Sequence, residues 1–426
     1  MPSNENKLTI QSNSDWVPKM LAWVDLNFTC FGYFTSQEIA YPSGGFNHVL
    51  YAGTKAVNLE NLDQLPSDKP KVGIISYDQK NKYEKLSSQN REWINCPDSL
   101  FFSPEITILI SNTEITIEGT SPDQILAEIL NTTASQRRRR GNCNLNCSQD
   151  EESYTATFRK IQNHILEGDI YELNYCMDFQ GTVSHTEPIN LFLDLCENSP
   201  MPFSALFKAA NLYLCCASPE RFLKKQGQTL LTQPIKGTVR RGRNQLEDKV
   251  LKKQLAESKK EQAENLMIVD LMRNDLARLA LTGSVDVKEL FGIYSFKQIS
   301  QMISSVTCQL PPSVGFEEII SKTFPMGSMT GAPKIKCMEL IEAHEKFKRS
   351  WFSGSIGYID SNGDFDFCVI IRSLIIDRTK NSIYFGVGSA ITIDADAKAE
   401  YQECLLKAAS LINTLKNFYS NFNNPI

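Results

Sequence analysis

The sequence Pro234-Ile235-Lys236-Gly237-Thr238, which follows the apolar stretch Thr229 to Thr232, is the segment around which the chain is organised. Proline fixes one backbone angle and glycine frees another, so the sequence predicts that Lys236 leaves a shaped turn rather than a regular strand. A lysine in this setting is a surface charge, an anion ligand, or a nucleophile if desolvation lowers its pKa. The pentapeptide alone favours a surface charge, and the neighbouring motifs decide among the three.

A carboxylate precedes this lysine by sixteen residues, in Ala217-Ser218-Pro219-Glu220-Arg221-Phe222. The spacing predicts a hairpin that brings Glu220 and Lys236 together. Such a pair can act as general acid and nucleophile. An ordinary cross-strand ion pair has the same pattern, and both interpretations remain open at this point.

Three further carboxylates lie on predicted helices. The segment 264–276, ENLMIVDLMRNDL, predicts a helix with Glu264 at its N-terminal end, and Glu400 and Glu403 lie three residues apart on one helix face. Mg²⁺ prefers oxygen ligands and keeps several waters, so two or three carboxylates suit it. Solvated helix faces give the same spacing.

Small residues mark two loops. The segment 324–334, FPMGSMTGAPK, opens a helix near Pro333, where free N–H groups can hold a carboxylate or phosphate. The segment 386–390, GVGSA, predicts a second turn, although it is an incomplete dinucleotide fingerprint. Arg372 lies on a predicted apolar strand, Phe367 to Ile376, and would need a carboxylate partner if buried.

The composition predicts a soluble, cytoplasmic protein. The 426 residues are 42% hydrophobic and 22% charged, and the net charge of −5 argues against a general nucleic-acid binder. Residues 1–11 are polar, and no apolar run is long enough to span a membrane. Cys143 and Cys147 could form half of a zinc site, but no second pair completes it, which favours free loop cysteines.

The pattern of elements predicts an α+β protein. Residues 1–130 form a β-rich N-terminal region that we expect to pack into the same fold as the rest. Residues 131–150, with Arg137–Arg140, are predicted to form a flexible polar loop. Residues 151–420 mix helices and strands without regular βαβ alternation and are expected to form the catalytic domain. Helical patterns cover Glu247 to Leu279 and Ala397 to Phe418, and a strand pattern covers Ser355 to Ile359.

Taken in order, the motifs resemble those of the chorismate-utilising enzymes. The motifs are PIKGT, ENLMIVDLMRNDL, FPMGSMTGAPK, GSIGYI, the Arg372 strand and AEYQE, and they extend from Glu151 to the C-terminal helix. The resemblance implies two antiparallel β-sheets packed as a sandwich core with helices outside. A lysine in PIKGT resembles component I of the aminodeoxychorismate synthases, whereas anthranilate synthases carry alanine at the position of Lys236.

The resemblance also implies roles for individual residues. Lys236 would attack ring C2 of chorismate and expel the C4 hydroxyl, which Glu220 protonates, before ammonia displaces the lysine. The other implied positions are Lys407 near the reacting centre; Glu264 and Glu403 as Mg²⁺ ligands with Glu400 beside them; and Tyr358, Arg372, Thr330, Gly331, Gly388 and Ser389 at the substrate.

Two positions depart from the family pattern. Gln301 stands where many members have histidine, and a glutamine cannot shuttle protons near pH 7. Glu172 stands where isochorismate and salicylate synthases carry a water-activating lysine, which argues against those relatives.

The expected partners follow from the resemblance. No amidotransferase-like G-x-C-x-G elbow is present, so a separate glutamine amidotransferase subunit is expected to supply ammonia, and the family's N-terminal region can hold tryptophan. Two alternatives remain: an anthranilate synthase component I, and a non-catalytic amino-acid-binding regulatory subunit of the same fold.

Overall fold

The computed structural model describes residues 6–11, 16–134, 141–297 and 299–425. The predicted α+β fold with two antiparallel sheets is confirmed. The described strands are β1 Lys7–Gln11, β2 Cys30–Thr35, β3 Val49–Gly53, β4 Ala56–Val57, β5 Lys71–Ile75, β6 Ser99–Phe102, β7 Ile106–Ile110, β8 Glu114–Glu118, β9 Asn142–Cys147, β10 Glu172–Val183, β11 Phe203–Ala209, β12 Leu212–Ser218, β13 Arg221–Gln226, β14 Thr229–Gln233, β15 Ile235–Arg240, β16 Asp286–Ser295, β17 Ile299–Gln309, β18 Gly331–Ala332, β19 Ser355–Ile359, β20 Phe365–Val369, β21 Ser373–Asp377, β22 Ser382–Ile391 and β23 Asn421–Phe422.

The helices connect these strands and cover the outer faces of the sheets. The described α-helices are α1 Trp16–Asn27, α2 Lys80–Tyr83, α3 Pro122–Asn131, α4 Glu151–Leu166, α5 Pro188–Asn198, α6 Gln245–Glu257, α7 Lys259–Ala277, α8 Phe316–Thr323, α9 Lys334–His344 and α10 Ala397–Phe418. Short 3-10 helices occur at Leu59–Gln64, Tyr77–Gln79 and Gly327–Met329. Within the described segments, no helix has both the length and the apolar character required to cross a bilayer.

The first sheet has the order β1-β8-β7-β3-β2-β11-β12-β21-β22-β10-β9-β23, with β18 paired to β10. The second has the order β15-β17-β14-β13-β20-β19-β5-β6-β4, with β16 paired to β17. Among the described pairs, only β23 and β9 are parallel. Strand β2 pairs with β11 and strand β5 with β19, so N-terminal strands enter both sheets.

Two hydrophobic cores follow from this layering. Alternate side chains of β2 serve both, since Phe31 and Tyr33 join the core under α1, α4, α5 and α10, whereas Phe34 joins the other. The second core lies between the sheets, because Phe34 and Phe207 of the first sheet share it with strand β5 of the second.

The prediction of a continuous loop over residues 131–150 is wrong for Asn142–Cys147, which forms β9. Cys143 and Leu145 are buried while their asparagine neighbours are exposed, so the segment has the alternation of a half-buried strand despite its polar composition. Arg137–Arg140 lie outside the described residues.

The predicted helix from Glu247 to Leu279 is two helices, α6 and α7, separated at Ser258. The Ser258 hydroxyl accepts a 3.4 Å hydrogen bond from the Glu261 N–H and so caps α7. The break places Glu264 in the second turn of α7.

Candidate active site

Lys236 lies in a β-bulge. The register of β15 against β17 shifts between Ile235 and Thr238, which leaves Lys236 and Gly237 at the irregularity. Gly237 has φ +81°, a conformation that favours glycine. A bulge re-aims a side chain out of the ladder, so Lys236 lies at an irregularity within strand β15 and not in the predicted turn.

The re-aimed lysine meets a carboxylate on the other sheet. Lys236 Nζ donates a hydrogen bond to Oε1 of Glu172, at the start of β10, and Glu172 is only 1% exposed. Burial alone would lower the pKa of Lys236, but the Glu172 carboxylate, with Glu264 and Glu403 beyond it, raises that pKa above the usual lysine value. The resting lysine is therefore an ammonium ion.

Glu220 is buried next to this pair, immediately before β13. Burial raises the pKa of Glu220 to about 7, although a hydrogen bond from Ser328 and the charge of Lys236 oppose the shift. The Ser328 hydroxyl donates to Glu220 Oε1 over 2.6 Å, and the Glu220 carbonyl accepts from the Val369 N–H at 3.0 Å. A carboxyl group that keeps its proton near neutral pH can serve as a general acid.

Helices α7 and α10 bring the other predicted carboxylates to the same region. Lys260 Nζ lies 3.0 Å from Glu400 and 3.7 Å from Glu264, so one ammonium group bridges the two helices. On α10, Lys407 Nζ lies 2.7 Å from Glu403 and donates to the Gly388 carbonyl at 2.9 Å.

The acidic surplus of this cluster fits a bound cation. Oε1 of Glu264 and Oε2 of Glu172 are buried and have no hydrogen-bond partner among the described residues. Burial raises the pKa of Glu264 to about 7, with Lys236 opposing the shift and Glu172 adding to it. A divalent cation would remove this penalty.

The predicted metal ligands Glu264, Glu400 and Glu403 do not form a group whose ligand atoms all lie within 4.8 Å of one another. Within the described chain, the one group whose ligand atoms all lie within 4.8 Å of one another is His164, Glu167 and Asp169, at the end of α4. In the active-site cluster, the Lys260 ammonium supplies positive charge between two of the predicted ligands.

The loop before α9 is held tightly against β10. Thr330 is fully buried, and its hydroxyl donates to the carbonyls of Met326 and Gly327 at 3.2 and 3.3 Å. Gly331 pairs with Leu173 of β10. The Thr330 hydroxyl is thus engaged within its own loop in this conformation.

The turn predicted for residues 386–390 is wrong, because this segment lies inside β22 and pairs with β10. Its glycines serve close packing: an added Cβ at Gly388 would meet Cys176 Sγ at 2.4 Å. Ser389 is fully buried and shares a 2.8 Å hydrogen bond with the Tyr154 hydroxyl. Gly388 reaches the site through its carbonyl, which binds Lys407.

The continuous strand predicted from Phe367 to Ile376 is also wrong, since Arg372 lies between β20 and β21, which belong to different sheets. Arg372 has φ +50°, a turn conformation that lets the chain cross between the sheets. Burial lowers the pKa of Arg372, and no ion pair or hydrogen bond to its guanidinium is found among the described residues. The half-buried cation is available to a ligand carboxylate.

The described contacts of Tyr358 are with residues outside the lysine cluster. Its ring packs against Phe34, Phe46 and Tyr51 in the core between the sheets, and its hydroxyl accepts a 3.1 Å hydrogen bond from the Asn47 N–H. The structure therefore does not bring Tyr358 to Lys236 or Arg372 through any described contact.

Gln301 lies across from the bulge, paired with Thr238, and its amide donates to the Thr238 hydroxyl at 3.3 Å. Three residues that the sequence did not assign to the site contact its members: Glu172, Ser328 and Lys260. Each pairing spans more than sixty residues of chain, and no local pattern signals the contact itself, although the family resemblance had already singled out the position of Glu172.

A family model for chorismate binding enzymes matches residues 41–413. The chain belongs to the chorismate-binding enzyme family. The predicted resemblance is thereby confirmed across nearly the whole chain.

Curated relatives within this family are about one-third identical to the chain over the aligned residues. The chloroplastic aminodeoxychorismate synthase of Arabidopsis thaliana is 34% identical over 417 residues, which cover 91% of this chain and 45% of the relative. Aminodeoxychorismate synthase component 1 of Escherichia coli is 32% identical over 358 residues, covering 83% of this chain and 78% of the relative. The chain thus spans less than half of the plant protein.

Anthranilate synthase component I from Streptococcus pneumoniae has the same fold. Its crystal structure superposes with a TM-score of 0.75 over 96% of this chain and 92% of that one, at 23% identity. The two-sheet architecture is therefore shared within the chorismate-binding enzymes.

Proposed function

We propose that this chain aminates chorismate to 4-amino-4-deoxychorismate, as its resemblance to the aminodeoxychorismate synthases suggests. The observation that carries the proposal is the position of Lys236, re-aimed by a bulge into a buried cluster beside Glu220. A lysine and a proton-carrying carboxyl group in one enclosed site suit a displacement in which nitrogen attacks carbon and a hydroxyl leaves.

Each residue has a stated task in this proposal. Unprotonated Lys236 attacks ring C2, and the C4 hydroxyl leaves as water after taking the Glu220 proton. Ammonia then bonds to C4 as the Lys236 nitrogen leaves C2. Arg372, which lacks a described partner, would pair with a substrate carboxylate.

Glu264, Glu400 and Glu403 would hold Mg²⁺, as their acidic surplus suggests, together with a buried Glu264 oxygen that accepts no hydrogen bond from the described residues. When bound, the cation would offset the negative charge of the substrate carboxylates. The chain's own groups perform the proton transfers described above.

A separate subunit would supply the ammonia. The name of the Escherichia coli relative, component 1, implies a second component. We propose that this partner is a glutamine amidotransferase, and free ammonium ions should replace it in the test tube.

Product analysis tests the proposal. Purified protein, chorismate, ammonium and Mg²⁺ should give aminodeoxychorismate, identified by chromatography and mass spectrometry. Lys236→Ala should abolish product formation, whereas Lys253→Ala, at an exposed position on α6, should retain it. Release of anthranilate and pyruvate would contradict the proposal and support the anthranilate synthase alternative.

A further inference from the structure

We propose that Glu172 is the base that takes the proton from Lys236 and so turns it into a nucleophile. This role rests on the proposed function, because it assigns a partner to the lysine of that reaction. The inference starts from the contact between Glu172 Oε1 and Lys236 Nζ, two groups brought together from different sheets.

Glu172 is the one carboxylate with a direct hydrogen bond to the Lys236 ammonium among the described residues. Glu264 and Glu403 influence Lys236 through charge without an ion-pair contact. Glu403 is already paired with Lys407 at 2.7 Å. Proton transfer requires a hydrogen bond, so geometry selects Glu172.

Glu220 is not free for this task. Its Oε1 accepts a hydrogen bond from Ser328, and its proton is needed by the departing hydroxyl. The two carboxyl groups therefore have different tasks: Glu220 gives a proton to the departing hydroxyl, and Glu172 receives the proton from Lys236.

The position of Glu172 is fixed by its backbone. It begins β10, pairs with Ala332, and its carbonyl accepts a 3.2 Å hydrogen bond from Cys337 Sγ. Its Oε2 is buried without a hydrogen-bond partner in the described segments. A proton can therefore be accepted by Glu172 without breaking another hydrogen bond of its carboxylate.

Enclosure of the site favours the transfer. Moving a proton from an ammonium to a touching carboxylate turns an ion pair into two neutral groups and leaves the net charge of the site unchanged. The free-energy cost of removal from water is smaller for a neutral pair than for an ion pair. A substrate that expels water from the cluster thus favours the amine form of Lys236.

The proton balance closes over one cycle. Glu172 receives the Lys236 proton, the amine forms its bond to C2, and the C4 hydroxyl leaves as water with the proton from Glu220. Ammonia then bonds to C4 and the Lys236–C2 bond breaks, which returns the free amine. The new ammonium group returns a proton to Glu220, and Glu172 returns its proton to Lys236.

Two measurements on Glu172→Gln test the role. Trace labelling with acetic anhydride, read at the Lys236 peptide by mass spectrometry, reports the fraction of free amine. Loss of the neighbouring anion should increase labelling at pH 8 by about fivefold or more. Steady-state amination with ammonium at pH 7 should nevertheless fall by about a hundredfold in kcat, because most Lys236 is still protonated there and its proton acceptor is gone. The deficit should shrink as the pH rises and solvent removes the proton instead. Glu172→Asp should recover part of the rate.

The outcomes separate three cases. A variant that keeps kcat within threefold of the parent overturns the role of Glu172. A fall in both labelling and kcat assigns Glu172 a purely structural task and also overturns it, with Lys253 labelling as the internal standard. If instead the parent enzyme forms no aminodeoxychorismate from chorismate and ammonium, the proposed function fails while the labelling result on the pair still stands.

Discussion

The hydroxyl of Ser328 donates a 2.6 Å hydrogen bond to Oε1 of Glu220, and both side chains are buried. Ser328 lies in the 3-10 helix Gly327–Met329, whereas Glu220 precedes β13, so the bond links the loop before α9 to the second sheet. It stabilises the charged form of Glu220 against a burial effect that favours the neutral form.

Removing this hydroxyl should therefore raise the pKa of Glu220. Because the general acid must carry its proton, the alkaline limb of the kcat/KM profile of Ser328→Ala should move to higher pH, by about one unit. Ser328→Thr retains a hydroxyl and should restore the limb. A shift towards lower pH would exclude a hydrogen bond to the carboxylate as the controlling interaction.

Glu220 should also reduce the stability of the fold above its pKa. The folded-state pKa is raised from 4.5 to about 7, so the folded protein keeps a proton that the unfolded chain releases, and stability is lost as pH rises between these values. Glu220→Gln should remove this loss, which amounts to about 3 kcal/mol at pH 8.

Urea unfolding at pH 5 and pH 8 measures this effect. The parent protein should lose more stability between the two pH values than Glu220→Gln does, and the variant should be the more stable at pH 8. Equal losses would show that Glu220 is ionised in the folded protein at neutral pH.

The elements with strong local signals were predicted from the sequence. Helix α10, Ala397–Phe418, and strand β19, Ser355–Ile359, match their predicted bounds, because long amphipathic and short apolar patterns are determined by local spacing. The break at Arg372 was not predicted, because an apolar run has the same sequence pattern whether it forms one strand or two strands in different sheets. A positive φ at Arg372 has no sequence signal.

The site shows the same division. The motifs predicted that Lys236, Glu220 and the α7 and α10 carboxylates lie in one region. They did not predict the contacts that set the pKa values and charge balance of these groups. Glu172 meets Lys236 across the two sheets, and Lys260 reaches Glu400 from another helix. These pairings depend on tertiary packing, which is why the sequence named the reacting groups and missed their partners.

Lys260 should compete with Mg²⁺ for the carboxylates of α7 and α10. Its ammonium lies between Glu400 and Glu264, so replacing it with a neutral side chain leaves their charge uncompensated. Lys260→Gln should bind Mg²⁺ several-fold more tightly in isothermal titration calorimetry, a modest gain because Lys260 is half exposed. Lys253→Gln on α6 is the control, and unchanged or weaker binding by Lys260→Gln would contradict the prediction.

The buried pair Glu345 and Arg349 should be required for folding stability. Glu345 accepts from the Cys176 N–H at 2.9 Å, and Arg349 donates to the carbonyls of Asn174 and Met329, so the pair satisfies an open edge of β10. Arg349→Met would leave a buried carboxylate uncompensated and should cost about 3–5 kcal/mol in urea unfolding.

Two comparisons make that result specific. Adding Glu345→Gln to Arg349→Met should recover part of the loss, since no buried charge then remains. Breaking the exposed pair of Lys7 and Glu118 should change stability little. If Arg349→Met were as stable as the parent, the pair would have no role in holding β10.

Gly331 sets how closely the loop before α9 approaches Glu172. It has φ +136°, and a Cβ there would lie 2.1 Å from the Glu172 carbonyl oxygen. Gly363 also has a positive φ, +80°, but an added Cβ would meet nothing within 4 Å.

Gly363→Ala should therefore cost only backbone strain, about 1–2 kcal/mol, whereas Gly331→Ala must also move the loop away from β10. We expect Gly331→Ala to lose at least about 2 kcal/mol more in urea unfolding, and to reduce amination because Glu172 moves relative to Lys236. Equal losses from the two alanines would mean that the loop yields freely and does not position Glu172.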